Sequence, residues 1–131
     1  MKSFETQIRV EYHHTDQMGI VHHSNYVKFF EVARTEWLRA AGLTYAEMEH
    51  RGVMMPIVDV HIKYRMPAYY DELIRVKAMV EQMPMARMTF NYEIHGEDGR
   101  EIASGSTTLG FIDSVTRRPQ RAPQWLMEVL E

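Results

Sequence analysis

The stretch "SNYVKFFEVARTEWLRAAG", Ser24 through Gly42, decides the fold. Tyr26, Phe29, Phe30, Ala33, Trp37, Leu38 and Ala41 recur at the three- and four-residue steps of an α-helix, whereas Lys28, Glu31, Thr35 and Arg39 line another face. Ser24 or Asn25 is placed to cap the start, and Gly42 to end the helix in a left-handed turn. Such a helix runs about 25 Å. Its bulky aromatic stripe demands a broad apolar surface to pack against.

The flanking sequence supplies strands. Phe4, Thr6, Ile8, Val10 and Tyr12 alternate with Glu5, Gln7, Arg9 and Glu11, the two-residue period of a half-buried strand. Beyond the long helix, "TYAEMEHRG" has the Thr44 to Glu47 capping-box spacing and a closing Gly52, so a short second helix is expected. Strands are then expected from Val58 to Met66, from Leu73 to Met83, from Arg87 to Ile94 and from Glu101 to Asp113. The turn signal "HGEDGRE" precedes the last of these. "TRRPQRAP" reads as loop, with a short helix after Pro123. No linker or internal repeat divides residues 1–131, so the expectation is one α+β domain, a long central helix against a five-stranded antiparallel sheet. One helix covers only part of five strands, and oligomer formation is a natural way to protect the remainder.

Composition narrows the function. With no cysteine, disulfides, thiolate metal sites and a Cys nucleophile are all excluded. Fifteen basic against eighteen acidic residues leave a net charge of -3 without a basic block, which argues against a nucleic-acid partner. No apolar run approaches the roughly 20 residues that span a bilayer, and "MKSFETQIRV" has no signal-peptide core, so a cytoplasmic address is expected. The eleven methionines suit an adaptable core or apolar pocket.

The proton-handling residues gather in "HTDQMGIVHHSNY", His14 through Tyr26, just before the helix. His13, His14, Asp16, His22 and His23 are all potential metal ligands. Against a metal, adjacent histidines on an extended strand point apart, and no H-E-x-x-H spacing occurs; the expectation is no metal and no cofactor. G-x-S-x-G is absent, which removes the α/β-hydrolase nucleophile elbow. Ser104 and Ser106 alternate along a strand and are expected to pack against a partner or the helix. Glu31 and Arg34, three apart, are expected to form a surface pair.

Nearly the whole chain, from Ile8 to about Pro123, resembles the hotdog-fold thioesterases of the 4-hydroxybenzoyl-CoA thioesterase family, most closely the YbgC-type acyl-CoA thioesterase branch. The most specific match is D-x-x-G-[IV]-V-x-[HY]-x-x-Y at Asp16, Gly19, Ile20, Val21, His23 and Tyr26. E-x-A-R is matched at Glu31, Ala33 and Arg34, and an acidic position before the third strand at Asp71. The resemblance implies a hotdog fold, a homodimer or homotetramer with sites at the subunit interface, and hydrolysis of an acyl-CoA or acyl carrier protein thioester. It implies Asp16 as catalytic carboxylate and a backbone amide near His23 as the carbonyl's hydrogen-bond donor, with Gly19, Val21 and Tyr26 at the substrate.

The chemistry is sound independently. Thioester hydrolysis needs an activated water or a nucleophile, and a donor for the developing oxyanion. A carboxylate serves as general base or attacks directly, and the unpaired amides at a helix start serve as donors. Lys63, Arg65, Arg87, Arg117 and Arg118 are candidates for the CoA phosphates, and Phe29, Phe30, Met54 and Met55 for the acyl chain. Three other readings remain: a hotdog hydratase or dehydratase, for which the usual His facing an acid across the helix is not found; a non-catalytic acyl-thioester binding module; and a metal-dependent hydrolase.

Overall fold

Helix α1 (Asn25–Ala40) is fixed at both ends by backbone geometry. At its C-terminus Gly42, at φ +87°, lets the Leu43 amide reach the Leu38 carbonyl at 2.7 Å and its own amide reach Arg39 at 3.0 Å. These are the two bonds of a Schellman motif. At its start the cap differs from expectation. Ser24 is itself helical and its side chain caps nothing. Instead the His22 ring accepts the Ser24 amide at 3.3 Å, and the Asn25 side chain donates to the His14 carbonyl at 2.9 Å.

The computed structural model describes residues 2–131. Around α1 run β1 (Lys2–Arg9), one 3-10 turn (Tyr12–His14), α2 (Tyr45–His50), β2 (Val53–Met54), β3 (Ile57–Tyr64), β4 (Leu73–Val80), β5 (Arg87–His95), β6 (Glu101–Gly110), β7 (Ile112–Asp113) and α3 (Gln124–Leu130). Five strands form an antiparallel sheet in the order β1-β4-β5-β6-β3, and β2 pairs with β7 in a small ribbon. A long helix wrapped by such a sheet is the hotdog arrangement, an α+β fold.

The aromatic stripe meets the sheet's inner face. Phe30 stacks on Tyr92 with ring centres 4.2 Å apart and planes within 6°, and Trp37 meets the edge of Phe90 at 5.8 Å. Ile74, Val76, Ala78, Met88 and Ile94 complete the surface, all essentially inaccessible. Each such aromatic contributes about 2–3 kcal/mol by leaving water. Gly105 lies directly beneath Phe30 because β6 must approach the ring closely there.

Several sequence expectations need correction. β1 ends at Arg9, and Tyr12 lies 79% exposed in the 3-10 turn rather than on the strand's inner face. The run from Glu101 to Asp113 breaks at buried Phe111, giving β6 and β7. A bulge between Ile57 and Asp59 puts Val58 out of step with Val60, Ile62 and Tyr64. Ser104 and Ser106 face away from the helix, because Ala103, Gly105 and Thr107, which alternate with them, face inward. Arg34 is not a surface residue: four places after Phe30, it belongs to the buried stripe and is 3% exposed. Its Nε donates to the Tyr45 hydroxyl at 3.0 Å, which pins α2 to α1, while Glu31 stays 3.6 Å away at the surface.

A partly buried ion pair secures the connection between β3 and β4. Arg100 makes paired bonds of 2.6 and 2.8 Å to Glu72 and donates to the Pro67 carbonyl at 2.8 Å. The amides of Tyr69 and Glu97 donate to the same carboxylate. Burial alone would raise the Glu72 carboxyl, but the Arg100 bonds and the two amides outweigh it and hold the group below its usual 4.5. A carboxyl lowered in the folded state stabilises the fold above its unfolded pKa and loses that contribution as pH falls through the folded value.

Two outcomes follow from these contacts. In Gly105→Ala the new methyl falls on the His61 carbonyl oxygen and 3.0 Å from the Phe30 ring, so chemical denaturation will register a loss of about 2–3 kcal/mol. On acidification below about pH 4.5, the melting temperature of the wild type will fall more steeply than that of Glu72→Gln, measured by circular dichroism.

Candidate active site

Residues 15–21 form a tight hairpin. The Asp16 amide donates to the Ile20 carbonyl and the Gly19 amide to the Asp16 carbonyl, both at 3.0 Å, with Thr15 and Val21 bridging its base. Gly19 turns the chain at φ +78°, a backbone state that a side chain disfavours. The hairpin is sewn to the connection held by Arg100: Ile20 bridges Tyr69, and the Val21 amide donates to the Ala68 carbonyl at 2.9 Å. The ion pair thus positions the turn that carries Asp16.

Asp16 is half-buried, and one carboxylate oxygen is committed. Oδ1 accepts the Met18 amide at 2.8 Å, which orients the group and leaves Oδ2 without a hydrogen-bond partner among the described residues. Nearby, the first turn of α1 uses most of its amides. His22 donates to the His14 carbonyl, Ser24 to the His22 ring, Asn25 to the His22 carbonyl and Tyr26 to the His23 carbonyl. The His23 amide has no acceptor among the described residues.

Both residues line one cleft of about 330 Å³, together with Val21, Tyr26 and, from the end of β3, Tyr64 and Arg65. The Tyr64 hydroxyl donates to the His23 carbonyl at 3.3 Å, so β3 steadies the helix start. Tyr26 is buried between the Phe29 and Tyr64 rings, and that burial pushes its hydroxyl up to about 12, which keeps it a neutral donor. The exposed His23 side chain lies at the rim against Tyr64, with ring centres 6.3 Å apart.

Of the five residues singled out from the sequence, Asp16, Val21, His23 and Tyr26 converge on this cleft. Gly19 instead lines an adjoining cleft of about 570 Å³ with Tyr12, Thr15 and Tyr70, and Asp16 borders both. Asp71 lies outside either cleft, exposed at φ +66°, its carbonyl accepting from Arg9. Phe29 and Phe30 are core residues, 2% and 0% exposed. Among the candidate basic residues only Arg65 borders the cleft; Arg117 reaches Met54 at the other end of the sheet. Tyr64, Met66 and Pro67 were not legible as site residues, because strand alternation says nothing of where a strand ends.

The histidines divide between roles. Burial and the neighbouring His13 charge lower the pKa of His14, whose Nδ1 accepts the Glu11 amide at 2.9 Å. Rings 13 and 14 lie 4.2 Å apart, because the segment is a 3-10 turn and not the extended strand assumed when the pair was read as diverging.

Similar known proteins include thioesterases. The chain matches the thioesterase-like superfamily over residues 10–130. It is 36% identical to a solved DHNA-CoA thioesterase from Staphylococcus aureus, with a TM-score of 0.91 over 99% of this chain and 89% of that one. It is 33% identical over 92 residues to the acyl-CoA thioesterase YbgC of Haemophilus influenzae, covering 70% of this chain and 68% of the relative. The acyl-CoA thioester hydrolase YbgC of Escherichia coli is 25% identical over 121 residues, 92% of this chain and 90% of that one. With its hotdog architecture and a family match across almost its whole length, the chain belongs to the thioesterase-like superfamily.

Proposed function

We propose that the protein is an acyl-CoA thioesterase in which Asp16 is the catalytic carboxylate and the His23 amide polarises the thioester carbonyl. The observation that carries this reading is that one cleft is lined both by Asp16, half-buried with one carboxylate oxygen uncommitted, and by His23, whose amide at the helix start has no acceptor among the described residues. The thioester enters with its carbonyl oxygen at the His23 amide. As negative charge develops on that oxygen, the amide and the positive end of α1 stabilise it. Asp16 Oδ2 either takes a proton from water, whose oxygen attacks the carbonyl carbon, or attacks that carbon itself to form a mixed anhydride that water then opens. In both routes the C–S bond breaks and CoA leaves as thiolate, to be protonated. Tyr26 and Val21 shape the acyl side, and the His23 ring guards the rim.

A homodimer completes the site in this reading. Among the described residues β3 pairs on one side only, with β6, and on its helix side Val60 and Tyr64 stay 38% and 52% exposed, even though the Tyr64 ring meets Tyr26 at the start of α1. A second copy joined antiparallel along β3 covers this surface. It also brings the partner's Ile57 end, with the basic loop that holds Arg117 and Arg118, beside the Tyr64 end and its cleft. The basic residues remote from Asp16 within one protomer then serve the CoA phosphates across the interface.

Asp16→Asn keeps an Oδ1 acceptor for the Met18 amide and loses the ionised group. Thiol release from a panel of acyl-CoA substrates will fall by about 10³-fold in this variant with the melting temperature retained; unchanged turnover would remove the assignment. In light scattering the wild type will run at about 31 kDa, twice 15.5 kDa. Val60→Asp will shift it to the monomer and raise KM for acyl-CoA.

A further inference from the structure

Glu11, His13 and His14 stand apart from the catalytic cleft, on the turn between β1 and the Asp16 hairpin. A 3-10 helix repeats every three residues, so positions 11 and 14 fall over one another and 13 lies beside them. The result is a compact donor set: one carboxylate oxygen and two ring nitrogens, all within 4.8 Å of one another. His13 Nε2 lies 2.5 Å from Glu11 Oε2, and the two rings are 4.2 Å apart. The catalytic reading uses none of these side chains.

We propose that this trio is a binding site for one Zn²⁺ ion, independent of the thioesterase reading. Two imidazoles and a carboxylate are the donors that a borderline divalent cation prefers over Mg²⁺ or Ca²⁺, which seek all-oxygen shells. The three ligands span only four residues, so little chain must be ordered to assemble them. Glu11 and His13 are exposed, and water fills the remaining coordination positions. The lone pair on His14 Nδ1 that now accepts the Glu11 amide is the one the metal takes, and that exposed amide turns to water. This exchange keeps the affinity moderate, with a Kd on the order of micromolar.

The location gives the ion a consequence. The His14 carbonyl accepts both the His22 amide and the Asn25 side chain, each at 2.9 Å, so the turn is tied to the start of α1. Thr15 and Asp16 follow directly. A cation clamped across residues 11–14 restrains the carbonyl that organises the helix start and the strand leading into the hairpin.

Isothermal titration of untagged full-length protein with ZnCl2, paired with thermal melting, tests the site. One ion per chain and a melting temperature raised by several degrees are expected. His13→Ala and Glu11→Gln, both exposed positions, will each weaken binding at least about tenfold while keeping the metal-free melting temperature. His50→Ala, a lone exposed histidine, will leave binding unchanged, and MgCl2 will bind to none of the proteins. Absence of saturable Zn²⁺ binding, or binding that His50→Ala weakens as much as His13→Ala does, would overturn the proposal.

Discussion

The burial of one aromatic helix face against a twisted sheet is the constraint on which the rest depends. Phe30 on Tyr92 and Trp37 against Phe90 set both the depth and the rotation of α1. Once that face is seated, the helix start has a single position relative to the sheet, and the His23 amide has it too. In the proposed mechanism this amide is the oxyanion donor, and a donor built from backbone cannot be moved by a rotamer, so its precision would derive from core packing. Gly105 belongs to the same constraint, because only a residue without a side chain lets β6 pass beneath Phe30.

A second, polar device holds Asp16 on the cleft that His23 also lines. The hairpin carrying it is too small to hold its own geometry and is bridged to residues 68 and 69. Those residues are held in turn by Arg100 and Glu72, whose carboxylate has every near partner satisfied: two guanidinium nitrogens and two amides. A partly buried pair so completely bonded contributes orientation even where its net stabilisation is small. Apolar packing thus locates the donor, and a charged clamp locates the carboxylate.

The parts legible in the sequence are those with local causes. The α1 stripe from Tyr26 to Leu38, the Gly42 stop, the Thr44 cap and the β5 alternation are set by neighbours two to four residues away and appear as read, whereas Ala41 at the end of the stripe is exposed just past the helix. Asp16, Val21, His23 and Tyr26 were legible because they form one short motif around the helix start. The misread features have distant causes. Arg34 looks like half of a helical surface pair until Tyr45 and the sheet bury it. Val58 looks like part of an alternation until the pairing with β6 inserts a bulge. Adjacent histidines diverge only on a strand, and the turn at Tyr12–His14 shows no periodicity by which to recognise it. Tyr64 and Met66 line the cleft only because β3 ends where α1 begins.

The central claim is that one oxygen of Asp16 and the amide of His23 act on the same thioester carbonyl. The most direct measurement is a crystal structure with a ketone analogue of acyl-CoA, in which a methylene group replaces the thioester sulfur. The account predicts the ketone oxygen about 3 Å from the His23 nitrogen, with Asp16 Oδ2 or a water bonded to it facing the carbonyl carbon. A ketone seated in the cleft with its oxygen turned away from the His23 amide, or with Asp16 out of reach of the carbonyl carbon, would contradict it.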